Sequence, residues 1–200
     1  YRWLHTQTPV PRVLDHCLDS DWEYLLLAAV PGLPASAEHF RQAPDRLVHT
    51  LAESLKQLHL LPLADCPFEL GLELKLVQAQ QHLSAGRVDC EDFEPAHLGQ
   101  PPEQLLAKLW ANRPIAEGRV FTHGDACLPN FMLAPDFRLN GLIDLGRAGI
   151  ADPWQDLALL LRSLAHNGYE PCWQQAFLAA YGVEWAPELY DYYVLLDEFF

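Results

Sequence analysis

Three polar residues of types that suit phosphoryl transfer lie close together in the second half of the sequence. Asp125 and Asn130 are five residues apart, and Asp144 follows two short predicted strands, Phe131–Ala134 and Leu139–Ile143. If these strands form a hairpin, Asn130 and Asp144 end side by side, because opposite residues of antiparallel strands lie about 5 Å apart. An amide oxygen and a carboxylate suit Mg²⁺, and Asp125 beside them can accept a hydroxyl proton. The spacing therefore predicts metal-assisted phosphate transfer.

The same residues also fit a purely structural interpretation. Asp125 and Asn130 could stabilise a turn, and Asp144 could cap a strand end. Each residue alone favours that interpretation, whereas the ordered pattern D-x-x-x-x-N, hairpin, D-x-G favours a site. The glycine-rich dinucleotide and Walker motifs, the G-x-S-x-G elbow and the H-E-x-x-H zinc motif do not occur.

Charge and composition restrict the class of partner. The chain has 200 residues, 27 acids against 13 bases and a net charge of −14. This balance argues against nucleic acid and anionic membranes, both of which need a basic surface, and no apolar run is long enough to span a bilayer. Five cysteines without a C-x-x-C pair favour a reducing, cytoplasmic compartment. A small cation is the natural partner.

The elements that must position the three residues give an α+β pattern with helices dominant. Strands are predicted at Val10–Leu14, Trp22–Val30 and Arg119–Thr122, in addition to the hairpin. Helices are predicted at Pro44–Leu61, Leu70–Leu83, Glu103–Trp110, Pro153–Leu164 with Asp152 as N-cap, Pro171–Tyr181 and Pro187–Phe199. The stretch from Asp89 to Pro102 is predicted to be an acidic loop.

The motifs HGDACLPN (residues 123–130) and IDLGR (143–147) resemble those of the aminoglycoside phosphotransferases. The similarity is strongest to the aminoglycoside 3′-phosphotransferases, through LLLAAVPG (25–32), the Leu58-His59 pair, CPF (66–68) and the closing LDEFF (196–200). The resemblance implies a protein-kinase-like fold, with a mainly helical C-lobe, a hinge strand and a catalytic-loop β-hairpin. Residues 1–32 would be a remnant of the N-lobe with the hinge strand, and 33–200 the C-lobe.

The resemblance also implies a role for each candidate residue. Asp125 would be the catalytic base, Asn130 and Asp144 would hold Mg²⁺, and the backbone of Ala28 and Val30 would bind the adenine of ATP. The reaction would be ATP-dependent phosphorylation of the 3′-hydroxyl of aminoglycosides, which confers antibiotic resistance. The implied substrate-binding residues are Asp92, Glu94, Arg147, Arg162, Asp197, Glu198 and Phe200. Asp156 is expected to bond the backbone of the catalytic loop instead of the substrate.

One requirement of the kinase fold is not met by this sequence. The fold needs a glycine-rich loop and a lysine on a strand of the N-lobe, but all three lysines, Lys56, Lys75 and Lys108, fall in predicted helices. We therefore expect a C-terminal portion of a longer kinase that has little or no activity alone. Two alternatives remain: a kinase for another small molecule, such as a macrolide, homoserine or choline, or a non-catalytic cation-binding fragment.

The negative charge is concentrated in two stretches. No Lys or Arg occurs from Ser163 to Phe200, and Asp89, Glu91, Asp92 and Glu94 lie in one short loop. If both stretches flank Asp125, they form a negative cleft that attracts and holds a polyamine sugar.

Overall fold

Six helices and seven short strands make up the computed structural model, which describes residues 1–200. The predicted α+β class and the kinase-like fold are confirmed. The helices are α1 (Pro44–His59), α2 (Leu72–Ser84), α3 (Pro102–Ala111), α4 (Pro153–His166), α5 (Pro171–Tyr181) and α6 (Pro187–Asp197). The strands are β1 (Val13–Leu18), β2 (Glu23–Leu27), β3 (Leu33–Pro34), β4 (Val120–Thr122), β5 (Phe131–Leu133), β6 (Leu139–Leu142) and β7 (Gly149–Ala151).

The helices form the core because their apolar residues recur at helical spacing. On α1, Leu47, Leu51, Leu55 and Leu58 are fully buried, and this face packs against α5. Helix α4 is buried over most of its length and packs against α6. Its N-cap is the predicted Asp152, whose side chain accepts a hydrogen bond from the Trp154 N–H. Helix α4 is therefore a fixed platform for the loops around it.

Three small antiparallel sheets surround this helical core. Strands β5 and β6 form the predicted hairpin, with Phe131 opposite Leu142, and β3 adds to the outer edge of β5. Strands β4 and β7 pair across the catalytic region, with Thr122 opposite Gly149. The sequence pattern did not reveal β3 and β7, because strands of two and three residues carry too little periodicity to be recognised.

The first hairpin differs from the predicted strand boundaries. Strand β1 spans Val13–Leu18 and not Val10–Leu14, since its register is set by pairing with β2, where Leu18 lies opposite Glu23. Both strands are mostly exposed, so burial contributes little to their placement. Residues before the hairpin pack on the hydrophobic core instead: Leu4 is buried, and the ring of Trp3 lies 4.9 Å from that of Phe121.

None of the helices combines the length and the hydrophobicity needed to cross a lipid bilayer.

Candidate active site

The catalytic loop follows β4, and near its start is a position that only glycine can occupy. Gly124 has φ +83°, and a Cβ there would lie 1.8 Å from the carbonyl oxygen of Arg147. The backbones of the HGD and IDLGR segments are therefore in direct contact. This contact brings Asp125 next to Arg147, whose Nη2 lies 3.2 Å from the Asp125 Oδ1.

Asp156 of α4 fixes the loop from below, as the sequence led us to expect. It is fully buried, and its two carboxylate oxygens accept from the His123 N–H at 2.6 Å and the Gly124 N–H at 2.8 Å. His59 donates to it from α1 at 3.0 Å, and Tyr181 lies 2.7 Å from the other ring nitrogen. Burial alone would raise the pKa of Asp156, but the hydrogen bond and charge of His59 lower it below its ordinary value.

Two further contacts complete the loop. The Leu128 N–H donates to Ser163 Oγ of α4 at 2.9 Å. The Asn130 side chain donates through Nδ2 to the Asp125 carbonyl at 2.9 Å and to the Asp125 Oδ2 at 3.1 Å. With its amide nitrogen so occupied, Asn130 presents its amide oxygen as an acceptor. The loop therefore holds a carboxylate and an amide oxygen side by side.

Asn130 and Asp144 lie at the same end of the β5–β6 hairpin. The Ile143 N–H donates to the Asn130 carbonyl at 3.0 Å, so Asp144 is one residue beyond the last bonded pair. Asp144 is exposed and has φ 57°, a left-handed conformation that is uncommon outside glycine and concentrated at functional sites. One carboxylate and one amide oxygen fit Mg²⁺, which is commonly bound through one or two carboxylates together with water and substrate phosphates.

The thiol beside the candidate base is not a competing nucleophile. Burial, followed by the negative charge of Asp125, raises the pKa of Cys127 to about 12. The neutral thiol is the form present near neutral pH, and the thiolate is the reactive species. Asp125, and not the thiol of Cys127, is therefore the candidate proton acceptor.

The predicted hinge residues lie where β2 ends. The Ala28 N–H donates to the Arg12 carbonyl at 2.8 Å, which leaves the Ala28 carbonyl outside the β1–β2 ladder. Val30 packs over β6, since a Cβ on Gly141 would lie 3.0 Å from a Val30 methyl group. The Asn140 side chain holds the next segment by donating to the Pro31 carbonyl at 2.9 Å.

All seven predicted substrate-binding residues line one cleft of about 380 Å³. These residues come from the acidic loop, the IDLGR segment, α4 and the C-terminal segment Asp197–Phe200, and are Asp92, Glu94, Arg147, Arg162, Asp197, Glu198 and Phe200. The cleft also contains Asp89 of the acidic loop, as the charge pattern led us to expect, and Arg87 and His166, which the sequence had not assigned to it. Residues up to 113 positions apart in the chain, from Arg87 to Phe200, therefore share one largely polar surface.

A continuous series of ion pairs connects the candidate base to the acidic loop. Arg147 contacts Asp125, and its Nη1 lies 2.8 Å from the Asp197 Oδ1. Arg162 binds the other oxygen of Asp197 and reaches Glu94, with Nε 3.5 Å from Oε1. The nearby carboxylate of Asp197 raises the pKa of Arg162 against the opposing effect of burial. The two arginines thus neutralise part of the acidic cleft.

Glu198 is turned into the protein, where it fixes the acidic loop. Its side chain is 4% exposed, and its Oε1 accepts from His97 Nδ1 at 2.6 Å and from the Glu94 N–H at 3.0 Å. Sequence reasoning did not single out His97, because its partner is 101 residues away in the chain. The unfavourable position of an acid at the C-terminal end of α6 is offset by these two donors.

The model of the phosphotransferase enzyme family APH matches residues 1–193 of the chain. The chain belongs to this family. It is 37% identical over 199 residues to an aminoglycoside 3′-phosphotransferase of Niallia circulans, covering 99% of this chain and 75% of that protein. It is also 37% identical to an aminoglycoside 3′-phosphotransferase of Streptomyces fradiae, covering 99% and 76% of the two chains. As a member of the family it is a kinase that transfers phosphate to a hydroxyl group.

Solved structures of this aminoglycoside phosphotransferase family have the same fold. An aminoglycoside 3′-phosphotransferase of type VIII superposes with a TM-score of 0.94 at 39% identity, covering 100% of this chain and 77% of the other. An aminoglycoside phosphotransferase of Streptomyces rimosus, solved in complex with ADP and streptomycin, gives 0.85 at 33% identity, with coverage of 98% and 78%. The chain spans about three quarters of the length of each of these relatives.

Proposed function

We propose that the protein phosphorylates the 3′-hydroxyl of kanamycin- and neomycin-like aminoglycosides with ATP as the phosphate donor. The observation that carries this proposal is the placement of Asp125. It lies on a loop anchored to α4 and, through Arg147, it borders a cleft that contains five carboxylate side chains: Asp89, Asp92, Glu94, Asp197 and Glu198. A proton acceptor at the inner end of a polyanionic cleft suits a sugar that carries several ammonium groups.

Asp125 is assigned the role of catalytic base. It accepts the proton of the attacking hydroxyl while Asn130, which donates to its Oδ2, keeps the carboxylate oriented. Asn130 and Asp144 are the residues that would hold Mg²⁺, and the bound cation would neutralise charge on the ATP phosphates. We assign the Ala28 carbonyl and the Val30 N–H to the adenine, since neither is used in the β1–β2 ladder.

Binding of the drug requires exchange of cations in the cleft. Arg147 and Arg162 now share Asp197, and Arg162 also reaches Glu94. An ammonium group of the substrate that approaches these carboxylates would compete with the arginines for them. Asp92 is exposed and free of such pairs, so we assign it the first contact with the substrate.

The substrate cleft and the adenine-binding segment are assigned to different parts of the protein. Residues 33–200 carry the catalytic loop and the cleft, and residues 1–32 carry the hinge strand. The three lysines all lie on helices, so none is on a strand where it could pair with ATP phosphates. We therefore propose that residues 1–200 bind aminoglycosides without any further segment. Efficient phosphate transfer, in contrast, would require a segment that supplies a strand lysine for the ATP phosphates.

The experiment joins residues 1–200 to the amino-terminal quarter of the Niallia circulans relative and measures phosphate transfer to kanamycin. We expect transfer by the wild type and a loss of at least ~100-fold in Asp125→Asn. Asp136→Asn, which changes an exposed acid in the β5–β6 turn, is the matched control and should retain activity. Equal rates for wild type and Asp125→Asn would contradict the assignment of the base.

A second substrate is favoured by one comparison. The chain is 36% identical over 209 residues to a streptomycin 3″-kinase of Streptomyces griseus. Streptomycin should therefore be assayed beside kanamycin and neomycin. A higher kcat/KM for streptomycin would favour the 3″-hydroxyl over the 3′-hydroxyl as the phosphorylated position. The roles of Asp125, Asn130 and Asp144 would be unchanged.

A further inference from the structure

Lys75 on α2 is a buried lysine that none of the roles above uses. It is 3% exposed, makes no ion pair and donates no hydrogen bond within the chain. Lysines are rarely buried without a partner, because the ammonium group loses its hydration. Burial, followed by the charge of Arg147, lowers the pKa of Lys75 to about 8, against the opposite influence of nearby carboxylates, Asp197, Asp156 and Asp125.

The Lys75 ammonium faces an aromatic ring at the edge of the cleft. Its Nζ lies 4.9 Å from the centre of the Phe200 ring, and Arg147 Cζ lies 5.9 Å from the same centre. Two turns further along α2, His82 donates to the Phe199 carbonyl at 2.8 Å and its ring lies edge-on to Phe200 at 5.1 Å. One face of α2 therefore holds the end of the C-terminal segment.

The C-terminal segment, Asp197–Phe200, connects the separate parts of the cleft. Asp197 binds Arg147 and Arg162, Glu198 binds His97 and the backbone of the acidic loop, and Phe200 forms part of the cleft wall. A shift of this segment would move the carboxylates that we assign to the substrate. Its position is therefore important for the shape of the cleft.

We infer that Lys75 is a positioning residue for substrate binding: its ammonium and Arg147 together hold the Phe200 ring in the wall of the cleft. A cation over the face of an aromatic ring is attracted by the negative electrostatic potential of that face. The effect on substrate rests on the proposed aminoglycoside binding, whereas the hold on Phe200 does not. A charge that burial disfavours is retained where a functional site needs it.

The test places 4-fluorophenylalanine at position 200 of residues 1–200 and follows its ¹⁹F resonance from pH 6 to pH 10. In the wild type we expect a transition with a midpoint near pH 8, where Lys75 loses its proton. Lys75→Met should abolish this transition and broaden the resonance. Lys75→Arg keeps the charge, so it should retain a sharp resonance without the transition. Lys108→Met, which alters an exposed lysine on α3, should behave as the wild type.

Calorimetry with kanamycin at pH 7 provides the second measurement. Lys75→Met should bind the drug at least five-fold more weakly, Lys75→Arg within two-fold of wild type, and Lys108→Met without change. A transition that persists in Lys75→Met, or a wild-type resonance without a transition, overturns the hold on Phe200. Wild-type affinity in Lys75→Met overturns the role in the cleft. If the wild type binds no aminoglycoside while the ¹⁹F results are as expected, the proposed function fails and the hold on Phe200 stands.

Discussion

The catalytic loop and the cleft next to it meet at Asp125, but different interactions hold them. The loop is fixed by buried hydrogen bonds to α4, in which Asp156 accepts from two backbone N–H groups and Ser163 from a third. The cleft is held by partly exposed ion pairs, in which Arg162 and Asp197 have side chains 20% and 14% exposed. Buried hydrogen bonds fix one geometry, whereas partly hydrated ion pairs can exchange partners.

This difference suits the two tasks. A base must stay within hydrogen-bond distance of the hydroxyl that it deprotonates, so a rigid loop is an advantage. A cleft for cations must release its internal cations when the substrate enters. Perturbation of the loop should therefore affect mainly stability, and perturbation of the cleft should affect mainly binding.

Asp156→Asn should have the largest effect. Asparagine offers one oxygen where the structure uses two, so either the Gly124 N–H loses its acceptor, or the His123 N–H and His59 lose the oxygen that they share; in both cases the negative charge beside His59 is removed. Breaking a buried charged network costs about 3–5 kcal/mol, which should appear as a lower free energy of unfolding in urea. Asp191→Asn, on the exposed side of α6, is the control and should change stability by less than about 0.5 kcal/mol.

The same residue makes stability depend on acidity. The pKa of Asp156 is lower in the folded protein than in the unfolded chain, so the unfolded chain binds more protons as the pH falls. Its contribution is complete above the unfolded pKa and is lost as the pH falls through the folded pKa. The urea midpoint of the wild type should fall more steeply below pH 4 than that of Asp156→Asn. Equal slopes would show that another group dominates acid unfolding.

Gly124→Ala should have the next largest effect on the free energy of unfolding. Position 124 has a left-handed backbone conformation that disfavours any side chain, and the added methyl carbon would lie 1.8 Å from the Arg147 carbonyl oxygen. Strain and overpacking together should cost about 2–4 kcal/mol. Gly86→Ala is a matched control, since Gly86 also has a positive φ of +64° but nothing lies within 4 Å of the added carbon. The difference between the two free energies of unfolding isolates the contact between the motifs; no difference would mean that the loop moves freely.

The sequence was sufficient to name the candidate residues of the loop and the cleft, but not the network of contacts that supports them. Asp125, Asn130 and Asp144 could be placed from spacing and hairpin geometry, and the cleft residues from resemblance. His97 and Lys75 could not, because what distinguishes them is burial beside Glu198 and Phe200, residues more than 100 positions away. Strand β1 was misplaced for a related reason, since its limits depend on the partner strand and not on its own hydrophobicity.

Asp197→Asn should separate binding from stability. Asp197 joins Arg147 to Arg162, but partly exposed ion pairs contribute only about 1 kcal/mol each, so the fold should be weakened modestly. Kanamycin affinity should fall about ten-fold through loss of a carboxylate that can bind an ammonium group, equivalent to about 1.4 kcal/mol. Calorimetry at 50 and 500 mM salt checks this, because screening should narrow the difference between the variants. Asp191→Asn again serves as the control, and a larger effect on stability than on affinity would contradict the comparison.

His166→Gln should have the smallest effect and define the outer limit of the cleft. His166 contacts Glu94 at 3.1 Å, but its side chain is 59% exposed, so its removal should change the free energy of unfolding by less than about 0.5 kcal/mol. The substitution frees Glu94 from one of its two partners, and Arg162 remains. Kanamycin should therefore bind equally well or up to about three-fold more tightly, because a partly exposed ion pair contributes little. Weaker binding in His166→Gln would instead make the imidazole a direct ligand of the drug, and the exchange of cations would then begin at Arg162.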